Sequence, residues 1–224
     1  MAAFILDLDG TLVDSVYQHV FAWHTALKRC GLALPMWRLH RKIGMSGSLL
    51  MDALETELGR DIDESTSKRL EATHSEEFAR LHPTIAPLDG ANELLQSFRD
   101  NDIAYAIATT GHRKDAEPLL QMLRLPSDVP VVTKEDASTP KPSPELFLSA
   151  AAKLGSPSEE TMVVGDSVWD MLAARRAHFL GIGLLCGGYA ESEMTGAGAF
   201  RVFADPAQLR EHLHETGVTR KERH

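Results

Sequence analysis

Along this chain, short and wholly apolar runs alternate with longer stretches whose apolar residues recur every three or four positions. The runs are "AAFILDLD", "IAYAIATT", "VPVVT", "TMVVGD" and "FLGIGLLC", and four of the five end on an acid or a threonine. A continuous apolar run is the mark of a strand buried on both faces, as in a parallel sheet covered by helices. Between the later runs, Arg113 to Leu125, Pro144 to Leu154 and Val168 to His178 carry helical periodicity. Strand and helix repeated in this order predict a doubly wound α/β fold with a parallel, Rossmann-like sheet.

One stretch departs from the alternation. From Ser15 to about Ala86 no strand pattern occurs. Val16, Val20, Trp23, Leu27 and Cys30 form one helical stripe, Leu49, Leu50, Ala53, Leu54 and Leu58 form a second closed by Gly59, and Glu64 to Leu81 reads as a third, more polar helix. The sheet-packing pattern resumes with Leu88, Ala91, Leu94, Leu95 and Phe98. The expected organisation is an α/β core from residues 1–14 and 86–224, interrupted by a small α-helical domain over residues 15–85.

Composition narrows the class. Of 224 residues 43% are apolar and 25% charged, and no apolar run approaches the roughly 20 residues needed to span a bilayer, so a membrane-spanning helix is not expected. The N-terminus lacks the basic segment of a secretory signal, which makes the cytoplasm the expected location. A net charge of −9 argues against general affinity for nucleic acid, whose phosphates reward clustered Lys and Arg. Cys30 and Cys186 lie far apart in no CxxC pattern, and are expected to be reduced core residues. A monomer and a homodimer are both compatible with the sequence.

Ligands of open α/β sheets bind beyond the carboxyl ends of the strands, and reactive groups stand at those ends here. Asp7 and Asp9 follow the first run, Thr109 and Thr110 the second, Lys141 lies in the loop after the third, and Asp166 and Asp170 follow the fourth. Parallel strands would make them converge. Three or four carboxylates are hard oxygen ligands suited to Mg²⁺, and a lysine with hydroxyls is the complement of a phosphoryl group, so the set describes phosphoryl transfer. Asp7 would be the nucleophile and Asp9, two residues on, the proton donor and acceptor, with Gly10 permitting a sharp turn. Plainer readings exist for the same residues. The threonines could close a strand, Lys141 among Pro140, Pro142 and Pro144 could sit in a stiff surface turn, and Asp166 with Asp170 could cap the helix from Val168. A calcium loop does not fit, because its glycine is sixth and Gly10 is fourth.

Taken together, "DLDGTLVDS", the threonine after "YAIA", "KPSPE" and "GDSVWD" resemble the four motifs of the haloacid dehalogenase superfamily, in order and across nearly the whole chain. The resemblance implies Asp7 as nucleophile, Asp9 as general acid and base, Thr109 (with Thr110 beside it) and Lys141 as phosphate binders. It also implies Mg²⁺ held by Asp7, the backbone carbonyl of Asp9 and Asp166, with Asp170 reaching it through water. The helical insertion is similar to the small cap of the subfamily that includes phosphoglycolate phosphatases and β-phosphoglucomutases. Its alignment makes His19 and Trp23 candidates for contact with substrate, although Trp23 also belongs to an apolar stripe. The loop "IGMSGS", with Met45 and Ser46, stands where such a cap reads its substrate. The activity expected is Mg²⁺-dependent hydrolysis of a small phosphorylated metabolite through an aspartyl phosphate. A phosphomutase of the β-phosphoglucomutase kind is the alternative, weakened by the lack of an arginine in that loop. A non-catalytic binding protein would be expected to carry a damaged motif, and none of the four is damaged.

Overall fold

A computed structural model describes residues 3–45, 47–156 and 160–217. Six parallel strands, β1 (Ala3–Leu6), β2 (Ala104–Ala108), β3 (Val131–Val132), β4 (Thr161–Gly165), β5 (Leu180–Leu184) and β6 (Ala199–Phe203), form one sheet in the order β3-β2-β1-β4-β5-β6. The chain builds outward from β1 through β2 to β3, then returns to the other side of β1 with β4. The order therefore reverses between β1 and β4, the switch point at which α/β sheets open a crevice beyond their carboxyl ends.

Alternation along β1 divides the core. Phe4 and Leu6 face one way, into a cluster with Leu94, Leu95 and Phe98 of α5 (Ala91–Asp100) and Leu119 of α6 (Arg113–Leu120). Ile5 faces the other way, against Phe147 and Ala150 of α7 (Glu145–Leu154) and Ala173 and Ala174 of α8 (Val168–Arg176). Burial on both faces is why the strands are continuous apolar runs. The chain closes with α9 (Glu191–Ala197) and α10 (Pro206–Glu211).

After β1 the chain leaves the sheet for α1 (Val16–Arg29), α2 (Met36–His40), α3 (Gly47–Leu58) and α4 (Glu64–Leu81). These helices share their own apolar cluster, in which Val20, Trp23 and Leu27 meet Leu39, Leu54 and Leu70. Entry and exit lie side by side: the Asp14 amide donates to the Ala86 carbonyl at 2.9 Å, and Val13 forms an isolated antiparallel bridge with Pro87. The sequence pattern missed α2, which is only five residues long, the partly exposed edge strand β6, and the short helices α9 and α10 that flank it. The helix expected over Arg113 to Leu125 stops at Leu120, two residues past an internal Pro118, and continues only as a 3₁₀ turn over Gln121–Leu123. Both cysteines are free, but each is half-buried rather than in the core.

Phe98 is fully buried and its ring stacks on Phe4 with centroids 4.6 Å apart. Phe98→Ala is expected to cost about 3–5 kcal/mol of unfolding free energy in urea titration. A loss under about 1 kcal/mol would mean that this face of the sheet is not closed by α5.

Candidate active site

Asp7 directly follows β1, and its amide still donates to the Val164 carbonyl of β4 at 2.9 Å. Asp166 directly follows β4. The two acids thus stand side by side across the switch point because the strands that end in them are neighbours. Asp170 joins them from the first turn of α8, and one carboxylate oxygen from each of Asp7, Asp166 and Asp170 lies within 4.8 Å of the others, all three residues being buried. Asp170 also performs the plainer task, since it completes a capping box with Ser167: its Oδ2 accepts from the Ser167 amide at 3.1 Å and hydroxyl at 2.5 Å.

One ammonium serves this cluster. Lys141 Nζ donates to Asp7 Oδ1 at 2.5 Å and to Asp170 Oδ1 at 2.7 Å, and the side chain is closed from solvent. Burial penalises its charge, but the two carboxylates outweigh that and hold the lysine protonated well above its ordinary range. Among the described residues, the side-chain donor to the Asp166 carboxylate is the Thr11 hydroxyl, at 3.1 Å. Burial drives the Asp7 and Asp166 carboxyls upward, with Asp170 adding to both, because Lys141 cannot offset every charge. Three clustered carboxylates with one lysine are a donor set that fits a hard divalent cation.

Asp9 lies in a different environment. Gly10 follows it with φ of +75°, turning the chain sharply. Asp9 Oδ1 accepts from Ser15 at 2.6 Å and from His19 Nε2 at 3.1 Å, and Oδ2 accepts from Thr109 at 3.3 Å. Burial works to raise this carboxyl, but the His19 charge and these hydrogen bonds bring it down to about 2. On its other side His19 Nδ1 meets His74 Nε2 at 3.1 Å, and His74 stacks on Trp23 with centroids 4.2 Å apart. Burial, with His19 beside it, holds His74 neutral, well below its ordinary range.

A cavity of about 340 Å³ opens between the strand ends and the helices of the insertion, with Asp7, Asp9 and Asp166 at its floor. His19, Trp23, Met45 and Thr110 line it, as do Leu50, His74 and Lys134. Thr109 is buried beneath and reaches Asp9. Lys141 and Asp170 lie behind Asp7, and Ser46 falls outside the described residues. The sequence reading gave no role to His74 or Ser15. His19–Trp23 and His74–Phe78 are both aromatic pairs four apart on helices that face each other, a signal that is legible only once α1 and α4 are known to pack together.

The sequence profile of haloacid dehalogenase-like hydrolases matches residues 1–178. The chain belongs to that family. Among curated hydrolases of known name it is 31% identical to hexitol phosphatase A of Escherichia coli over 78% of both chains. It is 30% identical to a phosphoglycolate phosphatase of Agrobacterium fabrum over 96% of this chain and 94% of that one. A crystal structure of a hydrolase from Pseudomonas syringae superposes with a TM-score of 0.93 at 47% identity, covering 96% of this chain and 99% of the other. The chain is thus a hydrolase of the haloacid dehalogenase-like family. No helix among the described residues is long and apolar enough to cross a membrane.

The raised carboxyls carry a stability prediction for metal-free protein. A carboxyl whose folded pKa lies above its unfolded value gives stability that is full below the unfolded pKa and is lost as pH rises through the folded one. Wild type in EDTA is expected to lose stability between about pH 4 and pH 8 in denaturant titrations. Asp166→Asn, which keeps an acceptor for Thr11, is expected to lose distinctly less over that range. Parallel pH profiles for the two would remove Asp166 as a source of buried strain.

Proposed function

We propose that this hydrolase is a Mg²⁺-dependent phosphatase acting on a small phosphorylated metabolite through an aspartyl phosphate. The observation that carries the reading is the placement of two carboxylates two residues apart in opposite electrostatic states, Asp7 against Lys141 and the acid cluster, Asp9 under three hydrogen-bond donors. Environments that push two acids apart are the usual basis for different roles in one site. The named phosphatases among its relatives support the same class.

In this reading Asp7 Oδ attacks phosphorus and the ester P–O bond breaks. The departing alkoxide takes its proton from Asp9. Water then attacks the phosphorus, its proton passes to Asp9, the Asp7–phosphorus bond breaks, and inorganic phosphate leaves. Asp9, held low by His19, Ser15 and Thr109, is in the base form required by the second half, and the proton it takes from water there is the one it gives to the alkoxide of the next turnover. Lys141 fixes Asp7 in position and offsets its charge. Asp7, Asp166 and Asp170, with the backbone carbonyl of Asp9, would hold Mg²⁺, which when bound supplies the positive charge that draws phosphoryl oxygens into a cluster of acids. The helical insertion, residues 15–85, would serve as a cap that closes the cavity and reads the rest of the substrate, with His19, Trp23 and Met45 on its wall.

Hydrolysis is favoured over phosphoryl return to a second hydroxyl because no arginine among the described residues lines the cavity. Arg38 is paired with Glu57 at 2.7 Å, and Arg41 with Glu193. A phosphate-release assay over polyol phosphates, sugar phosphates and phosphoglycolate is expected to find Mg²⁺-dependent turnover. Asp9→Asn should lower kcat by about 10²–10⁴-fold, and Asp7→Asn should abolish release. Release that survives Asp7→Asn, or wild type inactive on the entire panel, would sink the mechanism. A hexose 1-phosphate converted without free phosphate would assign the mutase instead.

A further inference from the structure

Asp166 occupies a slot between two glycines from different loops. A β-carbon built on Gly10 would lie 2.3 Å from Asp166 Oδ2, and one built on Gly187 would lie 2.1 Å from the same atom and 2.5 Å from the Asp166 carbonyl oxygen. Both walls therefore press bare backbone against the carboxylate. Their fastenings differ. The Gly10 wall is held within the core, its amide donating to the Val13 carbonyl at 2.8 Å. The Gly187 wall is a 3₁₀ turn, Leu185–Gly187, whose tie to the first wall is a thiol contact from Cys186 Sγ to the Gly10 carbonyl at 3.1 Å, a weak hydrogen bond.

The stronger tie comes from the helical insertion. His40, the last residue of α2, donates from Nε2 to the Gly187 carbonyl at 2.8 Å. Its ring lies parallel to Tyr17 with centroids 5.4 Å apart and tilts against Tyr189 at 5.9 Å. A β-carbon on Gly188 would come within 3.0 Å of that ring, so the turn is pinched between His40 on one side and Asp166 on the other. Tyr189 then donates to the Arg41 carbonyl at 3.2 Å, adding a second tie to the same end of the insertion.

We propose that His40 is a positioning residue that couples docking of the helical insertion to the metal site, by holding the Gly187 wall against Asp166. With the insertion docked, Asp166 has one place for its carboxylate. With the insertion away, the His40 bond is lost, the turn keeps the thiol contact and the packing of Leu185 and Tyr189 beside Met171 and Met194, and Asp166 gains freedom that cation binding must then remove. By linkage, cation binding favours the docked insertion to the same degree. The coupling rests on Asp166 being a metal ligand, as read under the proposed function. It needs no change in protonation of His40, since the Nε2–H that donates to the carbonyl is present in the charged ring and in the Nε2–H tautomer of the neutral one.

The test is Mg²⁺ titration of the full chain by calorimetry, without substrate. His40→Ala and His40→Leu are expected to weaken Mg²⁺ binding about 10-fold, the lower end of what lost outer contacts cost a metal site. The leucine variant keeps the bulk against Tyr17 and Tyr189, and serves if alanine does not fold. His40→Gln places an amide N–H near Nε2 and should return most of the affinity, a rescue that general loosening of the interface would not give. Affinities equal to wild type in both His40→Ala and His40→Leu, or no recovery in His40→Gln, would overturn the coupling. Absence of Mg²⁺ binding by wild type would instead overturn the metal reading on which it rests. Phosphate release without any Mg²⁺ requirement would do the same from the side of activity.

Discussion

Negative charge held away from water governs this structure. Carboxylates packed within a few ångströms of each other repel strongly where the dielectric constant is low, and here three of them share a single buried ammonium. Much of what surrounds them answers that repulsion. Lys141 bridges two of the acids, Ser167 and the start of α8 take up the free oxygen of Asp170, and Thr11 supports Asp166. What remains uncompensated is available to a cation and, through it, to an anion that would otherwise be expelled from such a place. The frustration is local, and the flanking apolar layers, packed on both faces of β1, supply the rigidity that tolerates it.

The same floor holds a fourth acid under a different regime. Asp9 points toward α1 and is surrounded by donors, two of which, Ser15 and His19, belong to the segment that leaves the sheet. The helical insertion therefore does more than roof the cavity. It touches the floor of the cavity and the wall beside Asp166 at two separated points, at Asp9 through α1 and at the Gly187 turn through α2.

The parallel sheet and the convergence of Asp7 with Asp166 were legible in the sequence because a strand buried on both faces announces itself as an unbroken apolar run, and because neighbouring parallel strands bring their terminal residues together. Lys141 could be placed in a loop but not aimed, since a lysine among prolines reads equally as a surface turn. His74 was illegible for another reason. It lies in a polar helix, and its meeting with His19 depends on the angle at which α4 crosses α1, which local periodicity does not contain. The Gly187–Gly188 turn drew no reading from the sequence, and what that turn leans on is decided by contacts with Asp166, twenty-one positions before Gly187, and with His40 in another layer. Edge strand β6 escaped because a strand partly or fully exposed along most of its length, with Arg201 at its middle, lacks the apolar run that marked the others.

The two connections to the helical insertion run side by side, stitched by the Asp14 amide and the Val13–Pro87 bridge. Ends already paired set no length on what lies between them, because the entropy of closing a loop grows only slowly with its size. The insertion can thus be lengthened, trimmed or exchanged as a module while the register of the sheet, and with it the spacing of Asp7 and Asp166, stays untouched. A lineage built on this joint can remodel one wall of its cavity by grafting at a single seam, provided the graft again supplies donors to Asp9 and a partner for the Gly187 turn.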